Sequence, residues 1–510
     1  MTLLIRNVHI LGGGRSLPDI SDVFVSDDKI SAIGNFPNKK ADIVLDGQGA
    51  YLSPGFIDVN TDSDHYLTLF DHPEQEDFLR QGVTTIFGGM CGSSLAPLLY
   101  GSLESFEKWG NTDRVNVNWH TMMEFLKVVD KHPLAVNFGT LVGHATVRRA
   151  IVNDASRDLA KNELAVFSRV LSTALREGGF GMSTGLAYIH ERETRYGELK
   201  ALVEIVKGAG GVYATHLRNT GAGVAASVEE TVRIAEETGA KTLISHFVPI
   251  VGHEKEYESA FAAIEALPED VALRFDVYPS SSSLLALYTF LPLWAQNGGV
   301  GVMLANMKDE WLVSRIKKDM PRFDEENFVI AQAPGNDFLV GKTLADIKQM
   351  YGLRDGRDAL VKLMLTMNMR GGILYRNIAS TVTKRAMASR RSLIASNAPS
   401  FAESFHGRQL KSDRTTRTFM DFLKIVEEEK IMPLEDAVAK ITREPAELFN
   451  LPLRGTIVEG NYADLTCFKG DEVKFTVVNG KLAMQNGEYK EVCAGKAFRH
   501  RSAPPHNHGA

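Results

Sequence analysis

A chain of 510 residues, 44% hydrophobic and 24% charged, is long enough to bury one large core plus a smaller companion, and is neither disordered nor fibrous. A formal charge of −6 spread along the chain gives no electrostatic footprint for nucleic acid or an anionic membrane surface, which leaves small-molecule chemistry. Three cysteines, no leader-like N-terminus and no run of about 20 apolar residues predict a reduced, cytoplasmic protein.

In chain order, "TLLIRNVHIL" to "DIVLDGQGAYLSPGF" alternates short β-type runs with Gly and Asp turns. The pattern returns in "RGTIVEGNYADLTCFKGDEVKFTVVNGKLAMQNGEY", with its Asn-Gly turns. Two β-rich flanks predict that the ends meet in one small β-sandwich domain, residues 1–56 plus 453–492. Over 57–452, eight apolar runs alternate with helical stretches: "GFIDVNTD", "VTTIFGG", "LAVNFGTLVGH", "GFGMST", "GVYATHL", "TLISHF", "LRFDVYP" and "SLIASN". Helices such as "GELKALVEIVKGAG" and "SVEETVRIAEETGA" are apolar at helical spacing and end in glycine. This alternation predicts an α/β fold, a (β/α)8 TIM-type barrel of parallel strands with crossover helices. The stretch from about 284 to 390 is too long for a strand connection and predicts an inserted helical, lid-like subdomain. Residues 494–510, with Pro, Gly and His but no periodicity, read as a disordered tail.

In such a barrel the chemistry sits at the carboxyl ends of the strands. Here those ends carry Asn60 and Asp62, Cys91, His144, Ser183 and Thr184, His216, His246, Asp276 and Tyr278, and Asn397. A single strand-end histidine is most often a hydrogen-bonded core residue, and free cysteine is among the most buried residue types. Two histidines on consecutive strands, with a glycine-flanked cysteine in "GGMCGSS", point instead to zinc. Zinc takes thiolate and imidazole, and a catalytic zinc keeps three protein ligands and one open position. Cys91, His216 and His246 are the candidate set. Cys467, within "ADLTCF", has the pattern of a packed strand residue. Asn60 and Asp62, two apart on a strand, face the same side. Asp62 offers a carboxylate, whereas Asn60 and Asn397 offer neutral amides that take up no proton.

The motifs "PGFIDVNTDSDHYL", "QGVTTIFGGMCGSSLAPL", "GFGMSTGLAY", "YATHLRN", "ISHF", "FDVYP" and "GNYADLTCF" resemble, in order and spacing, the D-aminoacylase (N-acyl-D-amino-acid deacylase) group of the amidohydrolase superfamily. The resemblance runs from about Leu4 to Tyr489. It implies a metal-dependent hydrolase of carbon–nitrogen bonds other than peptide bonds, cleaving N-acyl amino acids with a zinc-bound water. It makes Cys91, His216 and His246 the ligands of the tightly held zinc. It also makes Tyr278 and Arg408 the grip on a substrate carboxylate, for which an arginine fork is suited, and places His144 and Ser183 at motif positions on the substrate side. The implied partner is a small molecule, an N-acyl amino acid or similar amide. A homo-oligomer is left open.

Three positions depart from that group. Asn60 and Asp62 stand where it has His-x-His, Asn397 in "ASNAP" stands where it has the catalytic aspartate, and Val248 replaces a usual lysine. One zinc is therefore expected, with the second metal position lost. Without the aspartate the expected rate falls by roughly 10²–10⁴, unless Asp62, Asp64 or His65 has taken over as base. The alternative is a catalytically impaired pseudoenzyme that binds metal or a carboxylated ligand.

Overall fold

The computed structural model describes residues 1–510 except 14–19, 102, 104–105, 107–111, 113–114, 154–156, 297–298, 402–409 and 502–510. Both ends of the chain contribute to one eight-stranded sheet. Thr2–Ile10 pairs antiparallel with Ser21–Ser26 and parallel with Ile43–Pro54. Ile43–Pro54 in turn pairs antiparallel with Leu465–Lys469 from the far end of the sequence. Leu3 and Ile5, two apart and so on one face, share a buried core with Val23, Leu52, Cys467 and Phe475.

The eight apolar runs of the middle form strands: Phe56–Asp58, Val83–Gly88, Asn137–Thr140 resuming as Val142–Gly143, Gly181–Gly185, Val212–His216, Lys241–Ile244, Leu273–Val277 and Ser392–Ile394. Phe56–Asp58, Val83–Gly88 and Asn137–Thr140 make a three-stranded sheet, and Val142–Gly143 through Ser392–Ile394 a six-stranded one. Every neighbouring pair in them is parallel. Backbone bonds also run between the first and last strands' ends, where Asn397 N donates to Asn60 O at 2.8 Å and Asp62 N to Ala398 O at 3.2 Å.

These strands are buried on both faces, as parallel strands under crossover helices are. Alternate residues go to different cores. Val212 and Ala214 join Phe87, Leu243 and Leu393 in an inner cluster, while Tyr213 packs outward with helix residues such as Val203 and Val228. Phe87 stacks on Phe449 with ring centroids 3.8 Å apart; truncating Phe87 to alanine would cost about 3–5 kcal/mol. The same period brings His216, two residues past Ala214, to the inner side at the strand's end. No helix among the described residues is long and apolar enough to cross a membrane.

Two segments differ from expectation. The insertion is not purely helical: Ser282–Ala286, Gly372–Arg376 and Phe328–Gln332 form a three-stranded antiparallel sheet. With helices such as Leu344–Tyr351 and Gly356–Thr366 it encloses a separate core of Phe290, Ile330, Leu344, Leu360 and Ile373. Its strands are short and far apart in sequence, so no local alternation announces them. Part of the expected disordered tail is also ordered. Phe138 N donates to Lys496 O at 3.0 Å and Phe498 N to Phe138 O at 2.7 Å, extending the pairing beside Asn137–Thr140. Side chains help hold this piece, with Lys496 N donating to Asn137 Oδ1 and His500 Nε2 meeting Ala209 O, but the partners are distant in the chain and leave no local pattern to read.

Candidate metal centre and active site

Cys91 and His246 reach the end of His216's strand through strained backbone. Their φ angles are 51° and 38°, in the left-handed region that residues with side chains rarely occupy. Since Leu243 points inward, simple alternation would turn Ser245 inward and His246 away. The left-handed turn at His246, fixed by its N–H donating to Asp276 Oδ1 at 2.7 Å, returns the ring to the centre. Cys91 lies in the turn after Val83–Gly88, between Gly89 (φ 73°) and Gly92 (φ 79°). A side chain at Gly92 would collide with Glu191 Oε2, and one at Gly89 with the Leu141 backbone. Ser183 clasps the turn, accepting from Gly92 N at 3.0 Å and donating to Gly89 O at 2.5 Å.

The three ligand atoms lie within 4.8 Å of one another. Cys91 Sγ is 3.4 Å from His246 Nε2 and 3.8 Å from His216 Nδ1, and the two rings meet edge to face at 4.3 Å. Tetrahedral zinc with bonds of about 2.0–2.3 Å spaces its donors by roughly 3.4–3.7 Å, close to the two sulfur–nitrogen separations. Burial holds His216 down to about 4 and His246 well below its ordinary range, leaving both neutral with a lone pair to offer. Burial, then the negative charges of Asp62 and Asp276, pushes the Cys91 thiol up. A cation reverses that last effect, because acidic surroundings that resist a bare thiolate attract a metal.

The cluster opens into a pocket also lined by Asp62, His65, Tyr278, Asn397 and Arg414. Asp62 Oδ1 meets His65 Nδ1 at 3.0 Å, and His65 Nε2 faces Ser93 O at 3.2 Å. A carbonyl only accepts, so Nε2 carries hydrogen; the bond to Asp62 then requires a further proton on Nδ1 or on the carboxylate. The pair therefore stores one proton more than a neutral imidazole and a carboxylate. Burial alone would lower the His65 imidazolium, but Asp64 and Asp62 outweigh it and hold its pKa at about 9. Asp64 is itself buried, accepts from Gly89 N at 2.6 Å, and is pushed up by burial.

Asn60 does not line the pocket. Its Nδ2 donates to Asp276 Oδ2 at 3.1 Å, and its buried Oδ1 has no partner among the described residues. Burial raises Asp276 to about 7, and likewise Asp58, which accepts from Asn60 N and Ser396 N. Asn397 does reach the pocket, in a left-handed turn at φ 43°.

Two residues expected on the substrate side lie elsewhere. His144 is fully buried, with Nδ1 on Glu191 at 2.5 Å and Nε2 on Glu198 at 3.0 Å, so both ring nitrogens are engaged behind the site. Ser183 is the clasp of the Cys91 turn and is likewise absent from the lining. Tyr278 is on the wall, while Arg408 lies outside the described residues. Sequence reasoning missed Arg414, in the first turn of the helix Asp413–Glu429, where a cation opposes the helix dipole. That misplaced charge was the available signal.

The chain belongs to the amidohydrolase family, whose model matches residues 51–483. It is 27% identical to the N-acyl-D-aspartate deacylase of Alcaligenes xylosoxydans xylosoxydans over 472 residues, covering 91% of this chain and 85% of that one. A solved D-aminoacylase is similar at 25% identity and a TM-score of 0.76, over 98% of this chain and 99% of that one. The N-acyl-D-glutamate deacylase from Bordetella bronchiseptica, solved with zinc and a phosphonate inhibitor, shares the fold at a TM-score of 0.80 and 24% identity over the same shares.

Proposed function

We propose that the protein is a single-zinc hydrolase of N-acyl amino acids or similar amides, with its two parallel sheets closed as a (β/α)8 barrel and the terminal sheet as a β-sandwich companion. The cluster of Cys91 Sγ, His216 Nδ1 and His246 Nε2 within 4.8 Å, at the carboxyl ends of parallel strands, carries the reading. Zinc held there would polarise the amide carbonyl and acidify a coordinated water. The second metal position is taken as lost because Asn60, whose Nδ2 donates to Asp276, has only a neutral amide oxygen to offer a metal.

Asp62 is the base. Its Oδ1 is committed to His65, and its Oδ2 has no partner among the described residues and faces the pocket that holds the three ligands. With the pair's extra proton on His65, the Asp62 carboxylate keeps its Oδ2 lone pair to take a proton from the attacking water and return that proton to the leaving amine. Tyr278 and Arg408 stand as carboxylate contacts. The similar proteins named above bear the names of deacylases and an aminoacylase, which supports catalysis over the ligand-binding alternative.

Metal analysis paired with a panel of N-acyl-D- and N-acyl-L-amino acids tests this. About one equivalent of zinc per chain, with turnover lost on chelation and regained with zinc, is expected. Metal-free protein that turns over the panel, or zinc-replete protein that turns over none of it, contradicts the reading.

A further inference from the structure

Arg414 is only 2% exposed, yet it forms part of the pocket wall. Its Nε donates to Ser396 O at 3.0 Å, which sets the guanidinium 4.3 Å above the ring of Tyr278. Among the described residues, neither of its two Nη groups has a hydrogen-bond partner and no carboxylate lies within ion-pair distance of it. A buried guanidinium is ordinarily paired, because taking it out of water is costly. Four donors on a held fork, stacked on an aromatic face and directed at a pocket, match what a planar bidentate anion requires.

We propose that Arg414 binds the substrate's carboxylate, and that the pocket accepts an N-acyl amino acid with one carboxylate and an apolar side chain. The proposal rests on the deacylase reading and names its substrate class. Where the loop after His246 meets the insertion, the wall is mainly apolar, Val248, Ile250, Leu284 and Leu285, with Ser283 and Asn377 beside them. Val251 N donating to Asn377 O at 2.8 Å and the Ile250–Ile378 bridge lock these two segments together. Apart from the histidines, Arg414 is the sole cation among the described lining residues, and Asp62 is the acid there. With Arg414 engaged, a second carboxylate on the substrate would meet neutral donors and the negative Asp62 but no further cation among the described lining residues, which is unfavourable.

Binding distinguishes this from the deacylase reading, because it is measurable whether or not turnover occurs. Calorimetry on zinc-loaded protein would compare N-acetylleucine (both enantiomers) with N-acetylleucinamide, which lacks the carboxylate. Arg414→Met should weaken the acid about tenfold or more and leave the amide nearly unchanged. Arg414→Lys, which keeps the charge but not the fork, should fall between and guards against a folding defect in the first variant. Wild-type protein should also prefer N-acetylleucine to N-acetylaspartate by about tenfold or more. If turnover is absent but this pattern holds, the deacylase reading fails and the Arg414 assignment stands. If Arg414→Met weakens acid and amide alike, or Arg408→Met alone shows the acid-specific loss, the assignment is overturned. A preference for N-acetylaspartate overturns the apolar side chain.

Discussion

On one wall of the pocket, Cys91, His216 and His246 bring three donor atoms within 4.8 Å, two of them on left-handed backbone. Across from it Asn397 lines the pocket, with Asn60 behind it spending its amide on Asp276, so neither residue offers a titratable group. The difference follows from what each task demands. A metal needs several atoms at fixed separations, so the loss of any one ligand loses the tight site. A proton needs one titratable oxygen within reach, so the role can move to Asp62, three residues from His65 and in the same pocket. In the proposed mechanism the strained, clasped wall would hold the metal and the altered wall would pass its proton chemistry to Asp62.

The largest effect expected from breaking this contrast is on the clasped wall. Cys91→Ala should remove stoichiometric zinc and lower kcat/KM by on the order of 10³ or more, several kcal/mol of lost charge stabilisation; metal analysis and kinetics report both. Behind that wall, Glu191 and Glu198 raise the buried His144 to about 9, more than offsetting the burial that would lower it. A raised folded-state pKa means this stability is complete below about 6.5 and is lost as pH rises through about 9. The unfolding free energy from urea melts should therefore fall across that window by on the order of 3 kcal/mol, and His144→Gln should flatten the decline.

Smaller effects probe positioning. Ser183→Ala leaves Gly92 N and Gly89 O without their shared hydroxyl; zinc affinity should drop roughly 10–100-fold with the melting temperature little changed. Asn397→Asp is expected to change least. If Asp62 already carries the proton, restoring an acid should raise kcat by less than about tenfold. A rise on the order of 10²–10⁴ would instead show that the altered wall had lost the role outright.

The strands and the grouping of Cys91, His216 and His246 were legible in the sequence because both are written locally. Val212, Ala214 and His216 follow a period of two, and Cys91 sits between glycines. What stayed hidden depends on partners distant in the chain. His144 looked like a pocket residue until Glu191 and Glu198 folded over it from 47 and 54 residues away. The ordered stretch 495–501 and the antiparallel sheet of the insertion are held by pairings that no periodicity records. Arg414 required the helix Asp413–Glu429 to be placed against Tyr278 before its charge had a meaning.

The measurement that bears most directly on the division between the two walls is the kcat of Asp62→Asn at matched zinc content. A fall of roughly 10²–10⁴, with zinc retained near one equivalent and substrate binding preserved, is the predicted result. Wild-type kcat in a zinc-replete Asp62→Asn protein would contradict the account, because no relocated base would then be at work in the Asp62–His65 pair.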